Sequence, residues 1–582
     1  MEELWGIVDK IVSSRGRKLI KYHYFEDVWH ILLNDIGLGV VRAPTGCGKT
    51  EAATAMFLRG LANGSRPWLS MIYALPTRSL ALAMQHRLCN ALEALSIDWC
   101  TVTLDYGELF MVKPYLAGDV VVTTYDTLLY QFYGIVRRGY HVLMPMSKVS
   151  SSLVIMDEVQ LLQDESWYAM SLLPYHICSL LQLGAKVLLL SATIPSLLLE
   201  EIHRVIRSQR LKLRQVWDEQ LKTVDSHDEA SRGNLSVELR EHELPSGKGL
   251  LEVLRDLEIE ERLPALIVVN SVKKAVKVYE DLIQFKREGK LEEAIPLLLH
   301  SRLRLRARHD VESVFETSTP SLDPEKILLV ATQVVEAGLD LDIRLMLTEV
   351  SPIDSLIQRL GRCGRRRDGL AIIFLDPEAG RRIYPEHILR RTLEHIRGME
   401  RELALSVRSL GPAQELVDDV YIREEVEKLR MKSRALIHRA TAWIRVAVDR
   451  MFSRLGHETS SPLLRLGQEL ICWRAPDRSY YDALTRGMKV KISVKEFRDN
   501  VVRLSIRSPN EILPAVMHKI GDRDTLVELK IEHIDKGLEV SATMLKPLNP
   551  PSNRRFVLLL NPDYYELKDG VELGVVDPWH KR

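Results

Sequence analysis

Two successive α/β blocks with parallel sheets, followed by an α+β accessory region, are what this sequence predicts. Three observations carry the prediction. Short apolar runs alternate with helix-like stretches from about residue 36 to 222, and the alternation resumes from about 265 to 375. The first of these runs, Ile36–Val41, leads into Ala43-Pro44-Thr45-Gly46-Cys47-Gly48-Lys49-Thr50 and then into a helix-like stretch, Glu51–Leu58. Beyond about residue 395 the alternation stops, first in favour of charged amphipathic helix and then of short strands separated by Gly, Pro and Asp turns. Strands alternating with helices imply βαβ units, and βαβ units imply a parallel sheet.

Taken in order, residues 1–40 read mainly as helix. The first block then offers strands at Leu69–Leu75, Asp119–Thr123, Leu153–Met156 and Val187–Leu190. Thr223–Ser236 is polar and turn-rich, and reads as a linker or long loop. The second block offers strands at Ala265–Val269, Ile327–Val330, Leu345–Glu349 and Ala371–Phe374. Residues 395–455 read as helix, and Thr525–Ile531, Leu538–Met544 and Phe556–Asn561 as strands. The expected domains are therefore 1–235, 236–395 and 396–582. No repeat or low-complexity tract interrupts them.

Composition narrows the class. A chain of 582 residues is too long for one core, and roughly three to four domains are expected. The 46% apolar and 27% charged fractions suit a soluble globular protein. A net charge of +1 gives no global basic signal, so a nucleic-acid site must be a local groove. Six scattered cysteines without a C-x-x-C pair argue against zinc and disulfides and favour a reducing cytoplasm. There is no apolar run long enough to span a membrane, and the acidic N-terminus is unlike a signal peptide.

Strand, glycine loop, lysine and helix form the setting of a phosphate loop. Thr45, Gly46, Cys47 and Gly48 would turn backbone N–H groups onto phosphate oxygens, aided by the helix dipole. Lys49 would meet the β- and γ-phosphates of ATP and Thr50 would hold Mg²⁺. The buried run ending in Asp157-Glu158 supplies the complementary acids, with Asp157 toward the metal and Glu158 toward the attacking water. Ser191 and Thr193 end another strand, where their hydroxyls could link the ATP site to a nucleic-acid site. In Ser355–Arg366, Arg362 and Arg365 stand three apart on an expected helical turn, with Gln358 on the same face. Such arginines can stabilise charge on a γ-phosphate. The ATP site would then be a cleft between the two blocks.

The order of these motifs resembles a superfamily 2 helicase, whose fold is a tandem pair of RecA-like domains. Three segments extend the resemblance over about residues 25–375: Pro76–Ala81, similar to the family's first DNA-contacting motif; Thr123–Asp126; and Ala331–Asp342, which contains Gly338 and Asp340. Together with Ser351–Arg362, they are similar to the CRISPR-associated signature helicase of type I interference systems. The resemblance implies an ATP- and Mg²⁺-dependent translocase on single-stranded DNA, recruited by an RNA-guided surveillance complex. It places Gly338 and Asp340 at the nucleotide. Candidates for gripping the strand are Thr77, Arg78, Thr123, Thr124, Ser271, Arg302 and Thr332. The alternating arginines 302, 304, 306 and 308 suggest a strand or extended loop with one basic face. Too few residues precede the phosphate loop for an HD nuclease domain. His227-Asp228 and His309-Asp310 lack surrounding ligands, so a separate HD nuclease subunit is expected, as in subtype I-A. Gln160 stands where relatives often have His or Asp, altering the contact that joins ATP to the arginine motif. Tyr24-Phe25-Glu26 occupies the place of an adenine-reading glutamine. Rival readings are another superfamily 2 enzyme, acting on RNA or in DNA repair, and a nucleotide-switched DNA clamp.

Overall fold

The computed structural model describes residues 1–106, 116–133, 143–162, 166–214, 216–316, 322–336, 339, 341–381, 383–451, 468–506, 514–520, 523–534, 537–545, 557–568 and 571–575. The first sheet has seven strands: β1 (Ile36–Arg42), β2 (Ser70–Leu75), β3 (Val102–Asp105), β4 (Val120–Thr124), β5 (Ser152–Met156), β6 (Lys186–Ser191) and β7 (Glu219–Asp225). Their order is β3-β4-β2-β5-β6-β1-β7, and every pair is parallel. β2, β4, β5 and β6 are buried along their whole length. That is why they read as unbroken apolar runs and not as alternating ones. Alternation decides which layer each residue meets. Met71, Tyr73, Leu75, Leu153, Ile155, Leu188 and Leu190 join one core with residues of the helices Glu2–Ser13, Tyr24–Leu33, Lys49–Asn63 and Arg78–Ala94.

The expected linker is part strand. Thr223–Asp225 completes β7, pairing with β1, because edge strands tolerate polar residues on their solvent side. The next strand, β8 (Leu235–Arg240), begins the second sheet with β9 (Ala265–Val268), β10 (Ile295–Leu299), β11 (Ile327–Ala331), β12 (Leu345–Glu349) and β13 (Gly369–Phe374). Its order is β10-β11-β9-β12-β13-β8. A separate core fills it from Leu266-flanking positions such as Ala265 and Ile267, with Leu328, Val330, Leu345 and Leu347.

Four helices lie within 386–431 and a fifth spans Arg434–Met451. A mixed sheet follows, built from β14 (Gln468–Trp473), β15 (Val490–Ile492), β16 (Val501–Ile506), β17 (Met517–Ile520), β18 (Arg523–Ile534), β19 (Gly537–Leu545) and β20 (Val557–Leu559). A two-stranded ribbon, β21 (Glu566–Lys568) with β22 (Val571–Gly574), ends the described chain.

Contacts divide the chain into two compact units. The first contains Met1–Leu239, Ser351–Asp368 and Tyr384–Arg465; the second contains Arg240–Val350, Gly369–Ile383 and Leu466–Arg582. The arginine-rich segment thus belongs to the same unit as the phosphate loop. Among the described residues no helix is long and apolar enough to cross a membrane.

Candidate nucleotide site and nucleic-acid track

The phosphate loop, Pro76–Ala81, Asp157-Glu158 and Ser191–Thr193 stand at the carboxyl ends of β1, β2, β5 and β6, where open α/β sheets bind ligands. The loop after β1 turns on glycines. Gly46 has φ +93° and Gly48 has φ +75°, values that L-residues rarely adopt. A Cβ at Gly48 would also stand 2.8 Å from the Phe25 ring. Phe25 and Tyr24 are the loop's floor: the Tyr24 hydroxyl donates to the Cys47 carbonyl at 2.7 Å. Both side chains are buried, Tyr24 committed to the loop's backbone and Phe25 packed beneath it, so neither is placed as an adenine reader. Burial pushes the Cys47 thiol up to about 11, which keeps it protonated and unreactive. The Lys49 ammonium donates to the loop carbonyls of Ala43 and Pro44 at 2.8 and 3.1 Å.

Glu51 anchors the loop helix from behind. Burial alone would raise its carboxyl, but the guanidiniums of Arg87 and Arg15 outweigh burial and hold it at about 2.

Asp157 follows β5, and Tyr73 of the neighbouring β2 reaches it. The Tyr73 hydroxyl donates to Asp157 Oδ2 at 2.6 Å and lies 3.5 Å from Thr50 Oγ1. One phenol therefore marks both expected metal ligands. Sequence reading missed it, because an aromatic in a buried strand carries no signal beyond core packing. Burial, and then the charge of Glu158, push Asp157 upward. A cation at this carboxylate would reverse that shift.

Glu158 has φ +56°, a left-handed conformation that costs a side-chain-bearing residue about 1–3 kcal/mol. Its N–H donates to Asp157 Oδ1 at 2.9 Å. Its carboxylate accepts from Gln160 Nε2. The other end of Gln160 accepts from the Ser191 hydroxyl at 2.5 Å, and Ser191 Oγ in turn accepts the Thr193 N–H at 3.1 Å. Gln160 thus joins the expected water-activating acid to the end of β6. The Thr193 hydroxyl is buried without a hydrogen-bond partner.

The arginine motif departs from expectation. Its helix, Ile353–Leu360, stops before the arginines. Arg362 N–H bonds back to Arg359 and Cys363 N–H to Leu360, and Gly364 takes φ +63°. Gly361 ends the helix with ordinary right-handed torsions and Gly364 turns the chain, so Arg362 and Arg365 lie on a loop and share no helix face with Gln358. Gln358 is buried, with an unpartnered Nε2. The loop opens against the phosphate loop: a Cβ at Gly361 would stand 3.2 Å from Thr45 Oγ1. Arg232, from the expected linker, fastens it by donating to the carbonyls of Gly361 and Cys363 at 2.9 Å each. Gly338 and Asp340 lie outside the described residues.

The nucleic-acid candidates fare unevenly. Thr77 and Thr124 cap helices, accepting from the N–H groups of Leu80 and Thr127. Ser271 caps the helix Val272–Arg287 through Lys274 N–H. Such hydroxyls sit at helix N-termini, which favour phosphate. Thr123 is fully buried and donates to the Asp105 carbonyl at 2.6 Å, so its hydroxyl is already used inside the sheet. Arg78 opens the helix Arg78–Ala94. Thr332 is buried after β11, and Arg302 follows β10. The alternating arginines do not form an extended basic face. Arg306 and Arg308 belong to the helix Leu305–Glu316, paired at i,i+4 with Asp310 and Glu312. Arg304 donates to the Asn500 side chain at 3.1 Å. The segment is helical, with i,i+4 acids opposite two of the arginines, where the alternation suggested a strand or extended loop. Trp473 is fully buried, stacked on Phe497. Asp228 is engaged by His23 at 2.8 Å. Among the described residues no three His, Cys, Asp or Glu side chains cluster to hold a metal.

Comparison with known proteins agrees with this geometry. Residues 24–202 match the family model of DEAD/DEAH box helicases, and residues 262–368 that of the C-terminal part of the CRISPR-associated nuclease/helicase Cas3. The CRISPR-associated helicase Cas3 of Thermoproteus tenax is 31% identical over 427 residues, covering 70% of this chain and 68% of the relative. The crystal structure of T. fusca Cas3 superposes with a TM-score of 0.61 at 19% identity, covering 85% of this chain and 66% of that one. That protein has also been solved with ATP, ADP and AMPPNP. A CRISPR RNA-guided surveillance complex in a pre-nicking state contains a chain with a TM-score of 0.57 at 20% identity, covering 95% of this chain and 68% of that one. The chain therefore spans about two-thirds of these proteins. Its two parallel sheets are those of tandem RecA-like domains, followed by a mixed-sheet region.

Proposed function

The chain belongs to the family of CRISPR-associated Cas3 helicases, and from that premise we propose that it is an ATP-dependent helicase that moves along single-stranded DNA. The observation that carries the chemistry is the grouping of Thr50, Tyr73 and Asp157 beside the phosphate loop, with Glu158 held by Gln160. A hydroxyl and a carboxylate sharing one phenol are oxygen donors suited to Mg²⁺. Mg²⁺ bound there would neutralise charge on the β- and γ-phosphate oxygens. Lys49, now resting on two loop carbonyls, exchanges them for phosphate oxygens. Glu158 orients the attacking water and accepts its proton. Arg362 and Arg365 supply positive charge as the phosphoryl group transfers. The loops after β2, β4, β9, β10 and β11 offer N–H groups, hydroxyls and Arg78 and Arg302 to the phosphates of a strand, without reading its bases.

In this reading the tandem domains are residues 1–235 and 236–395, with 396–582 as the accessory region. An RNA-guided surveillance complex recruits the protein, as the likeness to a chain of such a complex supports. A separate HD nuclease makes the cuts.

The deciding experiment measures ATP hydrolysis alone, with single-stranded DNA and with RNA, using Lys49→Ala as control, followed by strand displacement. Stimulation by DNA that vanishes in the variant, together with displacement, is expected. Preference for RNA refutes the DNA assignment. Hydrolysis without displacement favours a clamp.

A further inference from the structure

The helix Leu410–Val420 lies in the part of the chain whose sequence carries no motif. It packs in the first unit against the helix Ser196–Ser208, which follows the Ser191–Thr193 strand end, and against the arginine helix Ile353–Leu360. The helix Ser196–Ser208 begins behind Pro195, which brings no capping side chain. Its first N–H groups need partners. Asp418 supplies one from outside: its carboxylate accepts the Ser196 N–H at 2.7 Å and the Ser196 hydroxyl at 2.6 Å. Gln414, one turn earlier, donates to the Ile194 carbonyl at 2.7 Å and to the same carboxylate at 3.0 Å. Ile194–Ser196 is thus fixed immediately after Thr193. Three residues beyond Asp418, the buried Tyr421 hydroxyl donates to Asp354 Oδ1 at 2.6 Å. Asp354 stands one turn before Gln358 on the helix that delivers Gly361 and Arg362. Residues 414 and 418 share one face of this helix, and Tyr421 follows at its C-terminal cap.

We propose that Gln414, Asp418 and Tyr421 form a positioning cluster that sets the strand end at Ser191–Thr193 and the arginine loop in mutual register for hydrolysis. The inference rests on the ATPase reading above. None of the three side chains needs to touch nucleotide. They act through Ser196 and Asp354, so their loss should lower turnover without weakening nucleotide binding, which the phosphate loop carries.

The test compares Asp418→Ala, Asp418→Asn and Tyr421→Phe in the full chain. Arg423→Ala serves as control, because its exposed pair with Glu200 is worth little. Turnover, KM for ATP, affinity for a fluorescent non-hydrolysable ATP analogue and melting temperature are read together. Displacing catalytic groups by a fraction of an ångström commonly costs an order of magnitude, so kcat should fall about tenfold in Asp418→Ala and Tyr421→Phe, with analogue affinity within about twofold of the parent. Asp418→Asn, whose amide oxygen still accepts the Ser196 N–H, should recover part of kcat. Folded variants with unchanged kcat overturn the proposal. So do variants in which kcat, affinity and melting temperature fall together, since that marks a structural role alone. A parent protein that hydrolyses no ATP with any nucleic acid defeats the ATPase reading and the inference with it. An active parent with indifferent variants defeats the inference alone.

Discussion

Tyr73→Phe isolates the support of the proposed metal ligands, Thr50 and Asp157, from the ligands themselves. The phenyl ring keeps the volume of a fully buried side chain, so no cavity opens. What is lost is one O–H donated to Asp157 Oδ2 at 2.6 Å and a weaker approach to Thr50 at 3.5 Å. Burial, and then the charge of Asp157, raise the Tyr73 hydroxyl well above its usual pKa, so it stays a donor throughout the working range. A hydrogen bond to a carboxylate contributes about 1.5–3 kcal/mol. About 1.4 kcal/mol of that, expressed in how Asp157 is aimed, is a factor of ten in affinity. Groups that orient metal ligands typically shift affinity or activity by about 10–100-fold. The Mg²⁺ concentration for half-maximal ATP hydrolysis should therefore rise about tenfold, and turnover at saturating Mg²⁺ should return to within about threefold of the parent. Titrating hydrolysis against Mg²⁺ at fixed ATP reads both quantities. Superposable curves would refute the reasoning, as would a loss of turnover that Mg²⁺ does not restore.

Three further outcomes are expected. Gly361→Ala places a methyl 3.2 Å from Thr45 Oγ1, so ATP turnover should fall about tenfold while the melting temperature moves little, in keeping with small displacements at a reacting site. Gly48→Ala meets both a left-handed backbone and the Phe25 ring at 2.8 Å; nucleotide affinity, read by fluorescent-analogue titration, should fall by an order of magnitude or more. Glu51, held at about 2 by Arg87 and Arg15 against burial, contributes stability that is fully present above its unfolded pKa of about 4.3 and is lost as pH falls through 2. The melting-temperature gap between the parent and Glu51→Gln should therefore be widest near neutrality and close between pH ~4.3 and ~2.

How much of this was legible in the sequence depended on whether a residue acts locally or through a distant partner. The phosphate loop was readable because strand, glycines, lysine and helix are contiguous. The strands were readable because β2, β4, β5 and β6 are buried on both faces. The arginine loop was misread as helix because spacing alone favours a helical turn, while Gly364 acts only through its torsion and Gly361 through its close approach to Thr45. The arginines at 306 and 308 were misread for the opposite reason, since a two-residue periodicity was followed where they lie in a helix with Asp310 and Glu312 at i,i+4. Tyr73, Arg232 and Asp418 left no signal. Each bonds a residue far along the chain, and their side chains are ordinary for a core strand, a polar loop and a surface helix.

Those silent residues explain why Glu158 can be held where it is. Its left-handed backbone is unfavourable by itself, so surrounding bonds must fix it. Gln160 ties Glu158 to Ser191, and Ser191 is bonded to Thr193. Gln414 and Asp418 pin the next residues, 194 and 196. Tyr421 then reaches Asp354, whose helix ends at Gly361 against Thr45 of the phosphate loop. These contacts form a chain that runs from Glu158 to the arginine loop beside Thr45. Moving Glu158 without moving the arginine loop would break at least one buried hydrogen bond, at about 1 kcal/mol or more. On the proposal above arginine loop and carboxylate are set together, and Gln160, standing where relatives often have His or Asp, supplies both the donor for Glu158 and the acceptor for Ser191 that this chain of contacts requires.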